Sequence, residues 1–249
     1  MFILSIETTG PHCSAALIDE KGNIKIEKSL DRLNHLQVLT PLINKLMKDN
    51  GVTKDDIAAV AASRGPGSFT GIRIGVSTAR ALAQVWEKPC IAVPTLYAFG
   101  YSRKDELMKN ENLAVCPIFD ARRNQIYGAC MVQKDGEIVE NVKAGPYMLD
   151  EFLSMVTVAC QEGSNMEKFT LRFIGDGVEK YREQIEAWAN EAGVNVDLVV
   201  VYQYADSVAE IALGMYEKGE TVDFNSFEPE YMRKAEAQRK LEERLLGKK

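Results

Sequence analysis

The order of hydrophobic patterns in this chain occurs twice, and this repetition constrains the fold more than any other feature of the sequence. In the first copy, three alternating apolar segments precede a helix, a strand, a second helix, a short strand and a third helix. The predicted segments are Phe2–Glu7, Cys13–Asp19, Ile24–Ser29, Leu36–Asp49, Ile57–Ser63, Phe69–Trp86 and Cys90–Val93, with Thr95 as the cap of the third helix.

The second copy repeats this order. Its predicted strands are Leu113–Asp120, Gln125–Val132, a strand starting near Ile138, Phe169–Ile174 and Val196–Val201. Its predicted helices are Leu149–Cys160, Glu179–Ala192 and Ser207–Lys218. The pattern predicts an α/β fold of two lobes, each a mixed sheet with helices on its faces, and a ligand cleft between the lobes.

We place the domain boundaries where the repeat begins and ends. Residues 1–103 form the first lobe, residues 104–226 the second, and residues 227–249 a charged tail. Within the tail, Glu228–Leu246 is predicted to be helical, with a thin apolar stripe that packs either on the protein's own surface or on a partner.

The small number of histidines and the spacing of the cysteines limit the metal sites, nucleophiles and disulfides that this chain can form. There are only two histidines, His12 and His35, and five cysteines that are far apart in the chain. A zinc or iron site needs several N, S or O ligands, so we predict no metal site and no catalytic residue. The odd number of cysteines and the lack of a CxxC pair favour reduced core thiols over disulfides.

The net charge of the chain indicates how it can interact with nucleic acids. The formal net charge is −6, whereas a protein that grips nucleic acid alone usually carries a basic face. We therefore expect any RNA to be held mainly by a partner. No segment approaches the ~18 apolar residues of a membrane span, and no basic stretch precedes the apolar Phe2–Ile6, so we expect a cytoplasmic protein with no membrane contact.

Several small and polar residues follow strands at the predicted cleft and are candidates to face a nucleotide phosphate. They are Glu7, Thr8, Thr9, Gly67, Ser68, Asp120, Gly175 and Gly177. Glu7 and Asp120 end the first strand of each copy, and a pair of acids across a cleft resembles actin-like and sugar-kinase-like ATPases. The alternatives are a hairpin turn in which Glu7 is satisfied locally and, at Gly175–Gly177, an ordinary turn.

The helix predicted at Phe69–Trp86 carries small residues at every fourth position. Glycine in a helix costs about 1 kcal/mol, so close approach of another backbone should offset the cost. That backbone belongs either to the protein's own sheet or to a partner. For the partner case, the predicted surface is Leu36, Leu39, Ile43, Met47, Gly71, Ile72, Gly75, Ala79 and Ala83.

Five segments in the same order resemble the TsaB (YeaZ) family. They are Leu4–Thr8 with Ser14–Leu17, His35 with Leu39–Ile43, Arg64–Gly75, Phe119–Arg123 with Ile126–Tyr127, and Glu228–Glu236. The resemblance covers almost the whole chain and implies a duplicated actin-like (ribonuclease H-like) ATPase fold. In this family Asp is common where Glu7 stands, which weakens the expectation of magnesium-water coordination.

The resemblance also implies a function. It predicts a non-catalytic subunit that binds and activates the paralogous catalytic subunit TsaD for threonylcarbamoyl transfer. The acceptor is the adenosine 3′ of the anticodon in tRNAs that read ANN codons. It further implies assembly with the ATPase TsaE, homodimers in isolation, tRNA contact only through the complex, and an interface on the first two helices. TsaD carries an HxxxH metal pair, of which this chain keeps His35 and replaces the second histidine with Leu39.

Two other functions stay open. One is an active small-molecule kinase, ATPase or peptidase of the same fold, for which Asp120 is the available acid but no convergent set is visible. The other is a regulator that senses adenine nucleotide. The sequence leaves open whether ATP or ADP with magnesium binds, either in the cleft or at a partner interface.

Overall fold

The computed structural model describes residues 1–29, 34–161 and 169–232, which form two five-stranded sheets. The strands of the first sheet are β1 (Phe2–Glu7), β2 (Cys13–Asp19), β3 (Ile24–Ser29), β4 (Ile57–Gly65) and β5 (Cys90–Pro94). They lie in the order β3-β2-β1-β4-β5, with β1 antiparallel to β2 and parallel to β4.

The second sheet repeats this arrangement with later segments. Its strands are β6 (Leu113–Asp120), β7 (Gln125–Lys134), β8 (Glu137–Met148), β9 (Thr170–Ile174) and β10 (Asn195–Val199). The central strand β6 is antiparallel to β7 and parallel to β9, in the order β10-β9-β6-β7-β8. The predicted duplicated α/β fold of two mixed sheets is confirmed, and Glu7 and Asp120 end the corresponding strands β1 and β6.

Helices cover both faces of the first sheet. The helices of the described residues are α1 (His35–Asp49), α2 (Phe69–Trp86), α3 (Thr95–Tyr101), α4 (Lys104–Leu107), α5 (Leu149–Gln161), α6 (Asp176–Ala192) and α7 (Ala205–Glu217). α1 and α2 pack on one face and α7 on the other. Because β1 and β4 are covered on both sides, they are continuous apolar runs rather than alternating ones.

Two helix boundaries follow from local chemistry. Ser68 caps α2 by accepting a hydrogen bond from the backbone amide of Gly71 at 3.2 Å. α6 begins at Asp176, three residues before the predicted start, directly after Gly175 with φ +120°. It ends at Gly193 in the left-handed conformation that favours glycine.

The two lobes exchange packing elements. α3 follows the first sheet and also packs on the second, where Phe99 stacks on Phe119 of β6 with ring centroids 5.5 Å apart. α7 follows the second sheet but returns to the first, where Ala205 and Val208 share a core with Ile3. The division at residues 103 and 104 stays a prediction, since this exchange ties the lobes into one packed unit.

The segment after α7 also returns to the first lobe. Val222 pairs with Cys90 on the edge strand β5, and the backbone amide of Glu230 donates to the carbonyl of Arg64 at 2.7 Å. The described part of the predicted tail helix, residues 228–232, is not helical, and the rest lies outside the described residues. Within the described ranges, no helix is both long and apolar enough to span a membrane.

Candidate functional site

The carboxylate of Glu7 is fully buried at the end of β1. One of its oxygens accepts hydrogen bonds from the backbone amide and the hydroxyl of Thr9, at 2.5 and 2.6 Å. The other oxygen accepts a hydrogen bond from the hydroxyl of Ser63 on β4. Burial raises the pKa of Glu7 above its ordinary value, against the opposing effect of the bonds from Ser63 and Thr9. The acid is therefore satisfied inside the protein.

Thr8 fixes the turn after β1 against α2. Its hydroxyl donates to the carbonyl of Gly71 at 2.8 Å. A Cβ added to Gly71 would lie 2.0 Å from the Thr8 carbonyl oxygen, and one added to Gly75 would lie 2.4 Å from the Thr8 hydroxyl oxygen. The two glycines therefore let α2 approach the protein's own turn, which accounts for their presence in a helix.

Thr9 is covered from two sides. Its carbonyl accepts a hydrogen bond from the amide of Ser68 at 2.8 Å, and a Cβ added to Gly67 would lie 2.6 Å from the Thr9 Cβ. From the other side, the amide of Gln203 donates to the Thr9 hydroxyl at 3.2 Å. Gln203 belongs to the segment that leads from the second sheet back to α7.

This arrangement does not fit a bound phosphate or magnesium ion. Glu7, Thr8 and Thr9 are 0%, 1% and 3% exposed, so no ligand can reach their polar groups. The donors and acceptors that a phosphate would use are engaged within the chain. Glu7, Thr8 and Thr9 are therefore engaged by internal packing and hydrogen bonds, while the ligand contacts predicted for the partly buried Gly67 and Ser68 stay a prediction.

Asp120 occupies the equivalent position in the second lobe, and its carboxylate is also hydrogen-bonded within the protein. Its carboxylate accepts hydrogen bonds from Lys180 at 2.9 Å, from Tyr181 at 3.2 Å and from the amide of Arg122 at 2.8 Å. Burial alone would raise the pKa of Asp120, but these bonds and the Lys180 charge hold it below its ordinary value. Asp120 is therefore an ionised acid paired within its own lobe.

The glycines after β9 serve packing. A Cβ added to Gly175 would lie 2.3 Å from the carbonyl oxygen of Ile118, and one added to Gly177 would lie 2.9 Å from the same atom. Asp176 between them accepts a hydrogen bond from the amide of Asp120 at 3.2 Å. Gly175 and Gly177 therefore bring α6 against β6, as the ordinary-turn alternative expects, and their contact with a nucleotide stays a prediction.

His35 sits at the start of α1 with 4% of its surface exposed. Its Nε2–H donates to the carbonyl of Gly10 at 2.9 Å, and Leu39 one turn later is buried in the core. In the described ranges, no cluster of three or more His, Cys, Asp or Glu side chains is arranged to hold a metal ion. His35 thus tethers α1 to the turn after β1.

Most of the predicted partner surface lies in the core. Seven of its nine residues are buried on the first sheet, namely Leu39, Ile43, Gly71, Ile72, Gly75, Ala79 and Ala83. Met47 is partly buried, and Leu36 is 77% exposed. The small-residue stripe therefore packs on the protein's own sheet and turn. The large apolar residues that α2 does expose are Val85, at 74%, and Phe69, at 37%.

The sequence reasoning missed the groups that close both turns. Ser63 was visible as a polar residue ending a buried strand, which is a signal for a buried hydrogen bond. Lys180 and Tyr181 lie one helical turn after Gly177. If the start of α6 had been predicted at Asp176, this spacing would have placed both side chains near Asp120. Nothing in the sequence pointed to Gln203, because its contact with Thr9 spans 194 positions.

A groove of about 430 Å³ lies elsewhere, between α3 and the segment leading into α7. Its walls are Phe99, Ser102, Arg103, Val200, Val201, Tyr202, Tyr204, Asp206 and Ser207. None of the predicted phosphate-facing residues lines it. The structure brings Glu7, Thr8, Thr9, Gly67 and Ser68 together in one cluster and leaves Asp120 with α6 in another.

Residues 29–241 match the family model described as TsaD, tRNA N6-adenosine threonylcarbamoyltransferase. Among curated proteins, the chain is 28% identical to the tRNA threonylcarbamoyladenosine biosynthesis protein TsaB of Bacillus subtilis, over 96% of this chain and 97% of that one. It is 29% identical to TsaB of Escherichia coli, over 97% and 98%. Among solved structures, YeaZ from Pseudomonas aeruginosa superposes with a TM-score of 0.73 at 23% identity, over 92% and 99%.

Proposed function

This chain belongs to the TsaD family and, within it, to the TsaB (YeaZ) branch, and from that membership we propose that it is a non-catalytic subunit in threonylcarbamoyladenosine biosynthesis. It takes part in tRNA modification by binding the paralogous subunit TsaD and activating it. TsaD transfers the threonylcarbamoyl group to the adenosine 3′ of the anticodon in ANN-decoding tRNAs.

The observation that carries this proposal is the closed turn after β1. The acid that would serve a nucleotide-dependent enzyme of this fold, Glu7, is held by Ser63 and Thr9 and has no exposed surface. The second acid, Asp120, is ion-paired with Lys180. A kinase needs acids poised at a substrate hydroxyl and at metal ions, so the geometry supports a binding role over the active-enzyme alternative.

The outer faces of α1 and α2 supply the surface for TsaD. Both helices pack on the same face of the first sheet, and each exposes a large apolar side chain, Leu36 on α1 and Val85 on α2. These two side chains are exposed parts of the helices that a partner can cover without disturbing the core. The same surface would form homodimers when TsaD is absent, because paralogous folds present equivalent helices.

The remaining partners follow from the same membership. TsaE assembles on the complex of this chain with TsaD, and tRNA is bound by the complex rather than by this chain alone. The formal net charge of −6 supports this division, because phosphate binding needs an excess of cations.

Co-purification with TsaD tests the proposal. Leu36→Asp and Val85→Asp place charge on the outer faces without touching the core, so both variants should fold with unchanged circular dichroism and lose TsaD. Val158→Asp on α5 is the matched control, since Val158 is 57% exposed on the other lobe, and it should keep TsaD. Full TsaD recovery with a Leu36→Asp, Val85→Asp double variant would place the contact elsewhere.

A further inference from the structure

The segment of residues 228–232 lies across the loop between β4 and α2, and it adds to the exposed surface at the start of α2, at the opposite end of that helix from Val85. The amide of Glu230 donates to the carbonyl of Arg64, and the Glu230 carboxylate lies 2.9 Å from the Arg64 guanidinium. A Cβ added to Gly65 would lie 2.3 Å from the Glu230 carbonyl oxygen, so this glycine admits the segment. These contacts fix Tyr231 beside the first turn of α2.

Phe69, Arg73 and Tyr231 form an aromatic–arginine cluster at this place. The Arg73 guanidinium lies 4.0 Å from the centroid of the Phe69 ring, and its Nε–H donates to the Tyr231 hydroxyl at 2.8 Å. The Phe69 and Tyr231 rings are 4.8 Å apart. Phe69 is 37% exposed and Tyr231 39%, and Arg73 is also exposed. These planar groups therefore reach solvent together.

Arg73 brings a positive charge to this cluster. Among the carboxylates in the described part of the chain, none forms an ion pair with Arg73. Directly after Met232, residues 233–249 contain seven Lys or Arg and three Glu, in a chain whose net charge is −6. In the sequence, Tyr231 of the cluster therefore precedes a strongly basic stretch of an otherwise acidic protein.

We propose that the aromatic–arginine cluster is a contact surface for RNA, in which an unpaired base stacks on the exposed planes and Arg73 meets a backbone phosphate. Single-stranded nucleic acids are bound by this combination of aromatic faces, arginine planes and nearby cations. The inference rests on the proposed function, which supplies tRNA as the RNA. It assigns this chain a direct share in holding the tRNA, whereas the sequence left that contact to the partner.

Binding of fluorescein-labelled tRNA to the reconstituted complex of this chain with TsaD tests the inference. Tyr231→Ala should weaken the Kd by about five-fold or more, since it removes a stacking face. Tyr231→Phe keeps the ring and should bind nearly as the wild type. Arg73→Gln should weaken the Kd and lower the slope of log Kd against log salt by about one. Arg182→Gln on α6 makes the same charge change at a surface ion pair with Glu186 and is the control.

The outcomes separate this inference from the proposed function. If tRNA modification requires the chain but Tyr231→Ala and Arg73→Gln bind tRNA with wild-type Kd and salt slope, the RNA surface is wrong and the proposed function stands. If these variants instead lose TsaD or TsaE in co-purification while the assembled complex keeps its tRNA affinity, the cluster is a protein contact and the inference is overturned. Modification that proceeds without the chain refutes the proposed function itself.

Discussion

The hydroxyl of Ser63 on β4 donates a hydrogen bond to the buried carboxylate of Glu7 on β1, joining neighbouring parallel strands at their carboxyl ends. In folds of this kind that edge of the sheet faces the ligand cleft. Here it faces Thr9 and the helix α2, and the lone pairs of the acid are used within the protein. The bond therefore converts a position suited to ligand chemistry into a structural one.

The buried acid should leave a signature in the pH dependence of stability. The folded-state pKa of Glu7 is raised above its ordinary value of 4.5, so its contribution is fully present below about pH 4.5 and is lost as pH rises through the folded pKa. Glu7→Gln cannot titrate and should lose less stability than the wild type over that range. Urea unfolding of both proteins from pH 4 to pH 8 measures this, and parallel curves would show that Glu7 titrates normally.

The two glycines of α2 should resist a substitution that usually stabilises helices. Gly71→Ala forces a Cβ against the Thr8 carbonyl and should destabilise the fold by about 1–3 kcal/mol. Gly214→Ala in α7 is the control, because nothing lies within 4 Å of the added Cβ, and it should stabilise by about 0.5–1 kcal/mol. Thermal and urea unfolding report both values. Equal stabilisation by the two substitutions would mean that Thr8 does not pack on α2.

Asp120 should behave in the opposite sense to Glu7. Its folded-state pKa is lowered from 3.8, so the stability it contributes is present above that value and is lost as pH falls through the folded pKa. Asp120→Asn should cost about 1–2 kcal/mol at pH 7, given a partly exposed Lys180 partner. The difference from the wild type should disappear near pH 2. A constant difference down to that pH would point to lost packing instead of a lost ionic bond.

The core cysteines should be inert in the folded protein. Burial raises the pKa of Cys13 to about 12 and that of Cys90 to about 11, so neither forms a thiolate at pH 8. Iodoacetamide at pH 8 should leave both unmodified until denaturant is added, as read by mass spectrometry of their peptides. Rapid labelling of Cys13 in the native protein would contradict the packing described around β2.

The order of strands and helices along the chain could be predicted because strong turn signals separate the apolar segments of each copy. The exchange of α3 and α7 between the lobes could not, since their amphipathic patterns show that one face is buried but not which sheet covers it. Cys13, Cys90 and Cys116 are buried thiols without disulfides, as expected for reduced core residues, and Cys130 is also buried.

The candidate site was harder to predict because the type of a residue does not reveal which way its side chain points. Glu7 and Asp120 were placed correctly at the ends of equivalent strands, yet both point to partners in their own lobe. The Gly71 and Gly75 pattern correctly signalled a close backbone approach. It did not reveal that the approaching backbone is that of Thr8, 63 residues before Gly71.

Reconstituted tRNA modification tests the central claim most directly. Threonylcarbamoyl incorporation into an ANN-decoding tRNA would be measured by mass spectrometry with TsaD, TsaE and a threonylcarbamoyl donor, with and without this chain. The account predicts activity that requires the chain, is lost with the Leu36→Asp, Val85→Asp double variant, and is kept with Glu7→Gln. Full activity without the chain, or loss of activity in a folded, TsaD-bound Glu7→Gln variant, would contradict a non-catalytic partner role.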